Sequence, residues 1–148
     1  MCGIAGFVGR GSERDLMRMR DTIVHRGPDD VGHEYIPGVG LAHTRLSIID
    51  VSPLGHQPMM AYRLFSKRQI GIVFNGEIYN FKQLRDELRD KGYQFKGGSD
   101  TEVVLALYEE YGVECFAKMD GMFAIALYDY DKNELVLARD RMGKKPLY

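Results

Sequence analysis

The chain has 148 residues, of which 45% are hydrophobic and 28% are charged, a balance that suits one globular domain. Its formal net charge of −1 argues against broad electrostatic binding to nucleic acid or to an anionic membrane surface. No apolar run approaches the roughly 20 residues that span a bilayer, and the N-terminus lacks the basic and apolar regions of a secretory signal, so we expect a cytoplasmic protein with no membrane segment.

The first part of the chain predicts a strand, a helix and a pair of strands. Residues 2–8 form a short apolar run rich in glycine, which favours a buried strand. Ser12 is a typical helix N-cap with an acidic residue three positions later, and the helix that it begins ends before Gly27-Pro28. Strands are expected at 31–35 and 39–44, on either side of a Pro-Gly turn.

The middle of the chain contains a polar loop followed by an apolar strand. Residues 45–60 are punctuated by proline and glycine, which is typical of the surface loops that carry functional residues. Residues 70–74 form an apolar strand that runs into Asn75-Gly76, and this dipeptide is a strong signal for a hairpin turn.

Two helices are predicted next. Asn80 is the expected N-cap of the first helix, and Gly92 ends it. Ser99, with Glu102 three residues later, matches a capping box at the start of the second helix. A shorter helical piece is expected over 113–118.

The end of the chain predicts strands over 122–129 and 134–139, joined by a turn. Both faces of this pair are apolar, so the sheet that contains it should be covered on both sides. The order of elements is not a regular βαβ alternation. The pattern therefore favours an α+β fold with antiparallel sheets.

The most informative residue is Cys2, which directly follows Met1. Removal of Met1 would leave a thiol and a free α-amine on one residue, and this pair is a nucleophile with its own base. The alternative is that a lone cysteine at position 2 is incidental. Cys115 has apolar neighbours and is interpreted as a small buried hydrophobic residue, so the sequence predicts no disulfide framework.

Further polar clusters lie at predicted strand ends or in loops, at 25–29, 43–47, 75–77 and 99–100. Each also has a structural explanation, as a helix end, a surface charge, a hairpin turn or a helix cap. Taken singly, each cluster is better explained by structure than by chemistry.

Taken together, the clusters fall within eight sequence blocks that resemble the class II glutamine amidotransferase domain of glutamine-hydrolysing asparagine synthetases. The blocks are CGIAGF at 2–7, HRGPD at 25–29, AHTRLSIID at 42–50, GHQPM at 55–59, VFNGEIYN at 73–80, GSDTEV at 98–103, DGMFAIALYD at 120–129 and ARDRMGKKPLY at 138–148. The resemblance covers essentially the whole chain. It implies the N-terminal-nucleophile hydrolase fold, a four-layer αββα sandwich of antiparallel sheets.

The resemblance also implies catalytic roles for three residues. Cys2 would attack the carboxamide carbon of glutamine, with its α-amine as the general base. The side-chain amide of Asn75 and the backbone N–H of Gly76 would form the oxyanion hole for the tetrahedral intermediate.

Substrate binding is implied for a second set of residues. Arg45 would bind the α-carboxylate of glutamine and Asp100 its α-ammonium group. The pocket would be completed by Glu77 and by backbone groups of three loop residues, Leu46, Ile48 and Ile49.

For the whole protein, the resemblance implies that residues 1–148 supply ammonia to a C-terminal ATP-dependent synthetase domain, outside this chain, that makes asparagine from aspartate. ATP and Mg would bind only there, and the glutaminase domain would need no cofactor and no metal. The expected partners are L-glutamine and the synthetase domain, and a homodimer is left open. Two alternatives also stay open: another acceptor, such as a sugar or peptide carboxylate, and a catalytically silent glutamine-binding module.

Overall fold

The computed structural model describes residues 1–64 and 67–148, and of Arg63 only the backbone. The strands within these residues are β1 Gly3–Val8, β2 Asp30–Ile36, β3 Val39–Arg45, β4 Met59–Met60, β5 Ile70–Ile78, β6 Gly121–Asp129 and β7 Glu134–Arg139. The α-helices are α1 Glu13–Thr22, α2 Phe81–Asp90, α3 Asp100–Tyr111 and α4 Cys115–Lys118. None of these described helices combines the length and the apolar character that a membrane crossing requires.

The described strands form two sheets. The first has the spatial order β1-β3-β2 and the second β4-β5-β6-β7. Every neighbouring pair in both sheets is antiparallel. The register places Gly6 opposite Leu41 in the first sheet and Phe74 opposite Ile125 in the second. The predicted α+β fold with antiparallel sheets is confirmed.

Each sheet has one face against helices and the other face against the second sheet. Helix α1 covers the first sheet, where its buried Leu16 lies over Gly40 of β3. Val39 and Leu41 point to the opposite face and pack with Val73 of β5. Helices α2 and α3 cover the outer face of the second sheet, and the larger hydrophobic core lies between them and that sheet. The four-layer αββα sandwich is therefore confirmed.

Strand β6 shows why the predicted hairpin is apolar on both faces. Phe123 and Ile125 pack into the core beneath the helices, whereas Ala126 and Tyr128 face the first sheet. Strand β7 is the outermost strand of its sheet, and its Leu137 is 54% exposed. The double covering predicted from the sequence thus holds for β6 and only partly for β7, where Val136 and Ala138 pack against the core beneath the helices and Leu137 on the opposite face is exposed.

The predicted caps of α1 and α3 are present. Ser12 and Asp15 bond reciprocally at the start of α1, with the Ser12 N–H donating to the Asp15 carboxylate at 3.0 Å and the Asp15 N–H to the Ser12 hydroxyl at 3.2 Å. At α3, the Ser99 hydroxyl accepts the Glu102 N–H at 3.3 Å. The Glu102 carboxylate does not complete that capping box, because it accepts backbone N–H groups of the preceding loop instead.

Asn80 is the N-cap residue of α2, as predicted, but its side chain does not cap the helix. Gly92 follows the end of α2 as expected, but the Asn80 side chain makes no hydrogen bond to that helix. Its amide instead donates to the Lys118 carbonyl and accepts the Asp120 N–H, both at 3.0 Å. These distant partners compete for the side chain and fasten the start of α2 to the segment before β6.

Two strand predictions also need correction. Residues 2–8 suggested a buried strand, but β1 lies at the edge of the first sheet, and of its residues only Gly3 is fully buried. Asn75-Gly76 suggested a hairpin turn, but both residues lie inside β5, opposite Ala124 and Phe123 of β6. Pairing with the long strand β6 holds both residues in the extended conformation and overrides the local turn preference of the dipeptide.

Candidate active site

A cavity of about 130 Å³ opens where the beginning of β1, the end of β3, the second half of β5 and the first turn of α3 meet. The structure brings to its wall every residue that the sequence assigns to the site. These residues are Cys2, Arg45, Leu46, Ile48, Ile49, Asn75, Gly76, Glu77 and Asp100.

Cys2 lies immediately before β1, with its side chain half-buried against the loop that follows β3. The Leu46 N–H donates to Cys2 Sγ at 3.4 Å, and Sγ lies 3.6 Å from the Leu46 carbonyl oxygen. Met1 lines the same cavity, and its Sδ is 2.8 Å from Nζ of the buried Lys145. Because the α-amine of this chain belongs to Met1, a base on Cys2 requires that Met1 be removed.

The edge of β5 explains how a backbone donor reaches the cavity. In an antiparallel sheet, the N–H groups along a strand alternate between its two sides. The N–H groups of Phe74 and Ile78 point away from β6, since they donate to Gln57 Oε1 at 2.7 Å and to Asp100 Oδ2 at 3.0 Å. Gly76 lies midway between them, so its N–H points to the same edge, where no described residue accepts it.

The neighbouring Asn75 supplies a second donor. Its side chain is 5% exposed, and no hydrogen bond joins its amide to another described residue. At Gly76, an added Cβ would collide with the Met122 carbonyl and with Phe123 of β6, so only glycine allows the strands to approach this closely. Adjacent unpaired donors on one wall can stabilise a negative charge that develops on an oxygen.

Arg45, the last residue of β3, turns its guanidinium group into the following loop. Nη1 donates to the Ser52 carbonyl at 2.9 Å, and Nη2 donates to the Asp50 carbonyl. An added Cβ on Gly55 would collide with this guanidinium group, so a larger residue there would require the Arg45 side chain to move. Two of the N–H groups therefore hold the loop, and the others remain for an anion in the cavity.

Asp50 fastens the same loop to the segment before α3. Its carboxylate accepts the Ser52 N–H and the Gly98 N–H, both at 2.8 Å. A hydrogen bond from the Ser52 side chain, helped by these two backbone N–H groups, holds the pKa of Asp50 below its usual value. The anchored loop carries Ile48 and Ile49 to the mouth of the cavity, where both side chains remain exposed.

Asp100, at the beginning of α3, supplies the negative charge of the cavity. It is 5% exposed, and burial raises its pKa to about 6, although backbone N–H groups such as that of Ile78 act in the opposite direction. The carboxylate is therefore mainly ionised at neutral pH. Together, Arg45 and Asp100 give one cavity a cation and an anion, which suits the two charges of a free amino acid.

Replacing Asp100 by Asn is expected to stabilise the fold at neutral pH. The pKa of Asp100 is raised from 3.8 to about 6 in the folded protein, so the wild type loses stability as the pH rises through this window. Asn does not titrate, and the advantage of Asp100→Asn should grow to the order of 1–3 kcal/mol above pH 6. Thermal unfolding of both proteins from about pH 4 to pH 7 measures it. An advantage that is independent of pH would contradict the prediction.

The cavity also contains polar residues to which the sequence assigned no role. Gln57 lies in the GHQPM block and Lys145 in the last block, and both are buried. Their burial marks Gln57 and Lys145 as candidate site residues. Because both lie in polar segments of the sequence, the sequence pattern gives no sign that their side chains are buried. Within the described part of the chain, no three His, Cys, Asp or Glu side chains are grouped to hold a metal ion. The absence of a metal site stays a prediction.

Comparison with known proteins gives consistent matches. Residues 1–148 match the family profile described as the glutamine amidotransferase domain. The chain is 43% identical over 155 residues to asparagine synthetase (glutamine-hydrolyzing) 1 of Bacillus subtilis (strain 168), covering 100% of this chain and 24% of that protein. It is 40% identical over 166 residues to amidase chry2 of Gibberella zeae, again covering 100% of this chain and 24% of the relative. The chain thus spans about a quarter of the length of these relatives.

Among solved structures, the chain is similar to the glutamine phosphoribosylpyrophosphate amidotransferase of B. subtilis, with a TM-score of 0.78 over 97% of this chain and 38% of that one. At 18% sequence identity this likeness shows the fold alone, and it confirms the N-terminal-nucleophile hydrolase fold. Since the family profile matches residues 1–148, the chain belongs to the class II glutamine amidotransferase domain family.

Proposed function

We propose that this domain hydrolyses L-glutamine to glutamate and ammonia through a thioester on Cys2. The observation that carries the proposal is the composition of one cavity wall. It combines the Cys2 thiol, the unpaired donors of Asn75 and Gly76, and the opposite charges of Arg45 and Asp100. A free amino acid with a side-chain amide fits this set, since its amide would meet the thiol and the donors while its carboxylate and ammonium groups would meet the two opposite charges.

The proposed reaction uses the nucleophile and the hydrogen-bond donors of this wall in successive steps. The Cys2 thiol gives its proton to the Cys2 α-amine as sulfur bonds to the carboxamide carbon, and the carbonyl oxygen becomes an oxyanion. Asn75 and Gly76 donate hydrogen bonds to this oxyanion. As the oxyanion collapses, the C–N bond breaks and the Cys2 ammonium group gives its proton to the departing nitrogen, which leaves as ammonia. Water then attacks the thioester, which releases glutamate and restores the thiol.

Substrate selection would rest on the charged ends of the cavity. Arg45 would bind the α-carboxylate and Asp100 the α-ammonium group, with the other predicted pocket residues around the carbon chain. The remaining members of that pocket are Leu46, Ile48, Ile49 and Glu77.

In the whole protein, the ammonia would pass to a C-terminal ATP-dependent synthetase domain that makes asparagine from aspartate, where ATP and Mg would bind. The 43% identity to an asparagine synthetase supports this acceptor. The 40% identity to a protein named an amidase supports the second candidate, an acceptor other than aspartate such as a sugar or peptide carboxylate. A homodimer and a cytoplasmic location stay predictions.

Ammonia release tests the proposal. The purified 148-residue chain, with Met1 removed, should release ammonia from glutamine at the same rate with and without ATP, because thiol attack on an amide needs no phosphate activation. An amide that lacks the α-amino and α-carboxylate groups should react far more slowly. An absolute ATP requirement would contradict the proposal, and glutamine binding without ammonia release would instead support the catalytically silent module.

Replacing Asn75 by Ala should lower kcat with little change in KM. The substitution removes one oxyanion donor and leaves the nucleophile and the charged groups in place. Loss of such a donor typically costs about 2.7–4 kcal/mol, which corresponds to roughly 10²–10³ in kcat. Steady-state kinetics with glutamine measures the change. A rise in KM alone would show that Asn75 binds the ground state of the substrate rather than the intermediate.

A further inference from the structure

We propose that Gln57 is a positioning residue that fixes the oxyanion donors of β5 by bonding the backbone of Phe74. The inference rests on the proposed glutaminase function and deepens it. Gln57 belongs to no predicted catalytic or substrate-binding set, yet its side chain is buried at the cavity wall.

The contact lies where β5 loses its neighbouring strand. β4 pairs with β5 only at Met59–Ile72 and Met60–Gly71. Two residues beyond Ile72, the Phe74 N–H would lack a partner at this buried edge. Gln57 Oε1 accepts it at 2.7 Å and thereby replaces the missing strand. A buried N–H without an acceptor would destabilise this conformation of the strand, because the group would lose its hydrogen bonds to water and gain none in the protein.

The carbonyl of Phe74 is also bonded by a side chain. His43 Nε2 lies 3.3 Å from the Phe74 carbonyl oxygen, so Nε2 must carry the proton and donate. Burial lowers the pKa of His43 to about 4, which keeps the ring neutral in this tautomer at working pH. Both edge-facing groups of Phe74 are thus held, directly before the two proposed oxyanion donors, Asn75 and Gly76.

The other end of the Gln57 amide reaches α3. Its Nε2 donates to Thr101 Oγ1 at 3.2 Å, and Thr101 directly follows Asp100. One buried side chain therefore links the strand that carries the oxyanion donors to the helix turn that carries the anion of the cavity. Because a displacement of about 1 Å can cost as much as 10²-fold in rate, this link can control turnover without contacting the reacting atoms.

Gln57→Met tests the inference, since Met has a similar length and can neither accept from Phe74 nor donate to Thr101. We expect kcat for glutamine to fall by about 10- to 100-fold, with KM changed less than about threefold. Alkylation of Cys2 by iodoacetamide, followed on the N-terminal peptide by mass spectrometry, should keep its wild-type rate because it forms no oxyanion. The matched control is Gln83→Met on the exposed surface of α2, which should leave all three values unchanged.

A second pair of variants covers the case in which Gln57→Met does not fold. Thr101→Val removes only the acceptor of the Gln57 amide and should lower kcat less than Gln57→Met. Thr101→Ser keeps the hydroxyl acceptor and should therefore have a kcat close to that of the wild type. Wild-type kcat in Gln57→Met or in Thr101→Val would overturn the inference. A parallel fall in kcat and in Cys2 alkylation would also overturn it, since that pattern indicates general damage. If the wild type itself releases no ammonia, the proposed function fails instead.

Discussion

Replacing Cys2 by Ala is expected to abolish glutamine hydrolysis, with a loss in kcat on the order of 10⁶-fold, as for other enzymes that lose their nucleophile. The substitution removes the atom that bonds to the carboxamide carbon and leaves the cavity wall intact. The side chain is half-buried, and its contacts are with the Leu46 backbone at 3.4 and 3.6 Å, so the thermal stability should change little.

The second cysteine provides a matched control. Cys115 is fully buried in the core beneath the helices, and burial raises the pKa of its thiol to about 12, so it is not a nucleophile near neutrality. Cys115→Ala should keep glutaminase activity while it lowers the melting temperature. Substantial activity in Cys2→Ala, or in protein shown by mass spectrometry to retain Met1, would refute the mechanism.

Replacing Arg45 by Ala is expected to lower kcat/KM for glutamine. The loss should correspond to about 2–5 kcal/mol of transition-state stabilisation, because the α-carboxylate would then be bound without its cation. Arg45→Lys should recover only part of this loss, since an ammonium group cannot bind a carboxylate through two parallel hydrogen bonds. Steady-state kinetics of the wild type and both variants with glutamine measures these differences.

Arg45 also holds the loop after β3 through the carbonyl groups of Asp50 and Ser52, so a control must separate the two roles. The matched substrate is an amide that keeps the α-amino group and lacks the α-carboxylate. Arg45→Ala should lower kcat/KM for glutamine far more than for this substrate. An equal loss on both substrates would show that the loop, rather than the carboxylate, accounts for the effect.

The cap of α1 and the doubly covered strand β6 could be predicted because their signals are local, whereas the four-layer sandwich and the grouping of the proposed site residues were implied by the family resemblance. Ser12 and Asp15 lie three residues apart, so the cap of α1 is visible in the sequence, and the alternation in β6 shows two buried faces. Cys2 is informative by its position alone. The family blocks then brought Arg45 and Asp100 into one predicted pocket, and both line one cavity.

The features that the sequence did not predict depend on partners far along the chain. Asn75 and Gly76 stay in β5 because β6, more than 40 residues later, pairs with them. The Asn80 side chain bonds to the backbone at 118–120 instead of capping α2. Gln57 acquires a role only because β4 ends short of Phe74 and leaves an N–H to be bonded. Local propensity contains none of this information.

The most direct test of the proposed mechanism is to trap the thioester. The chain with Met1 removed would be mixed with glutamine, quenched in acid within the first turnovers, digested and analysed by mass spectrometry. The mechanism predicts that the peptide beginning at Cys2 gains the mass of one γ-glutamyl group, and that this adduct is absent from Cys2→Ala and accumulates no further when glutamine is exhausted. Rapid ammonia release by Cys2→Ala, or a glutamyl adduct on any residue other than Cys2, would contradict it.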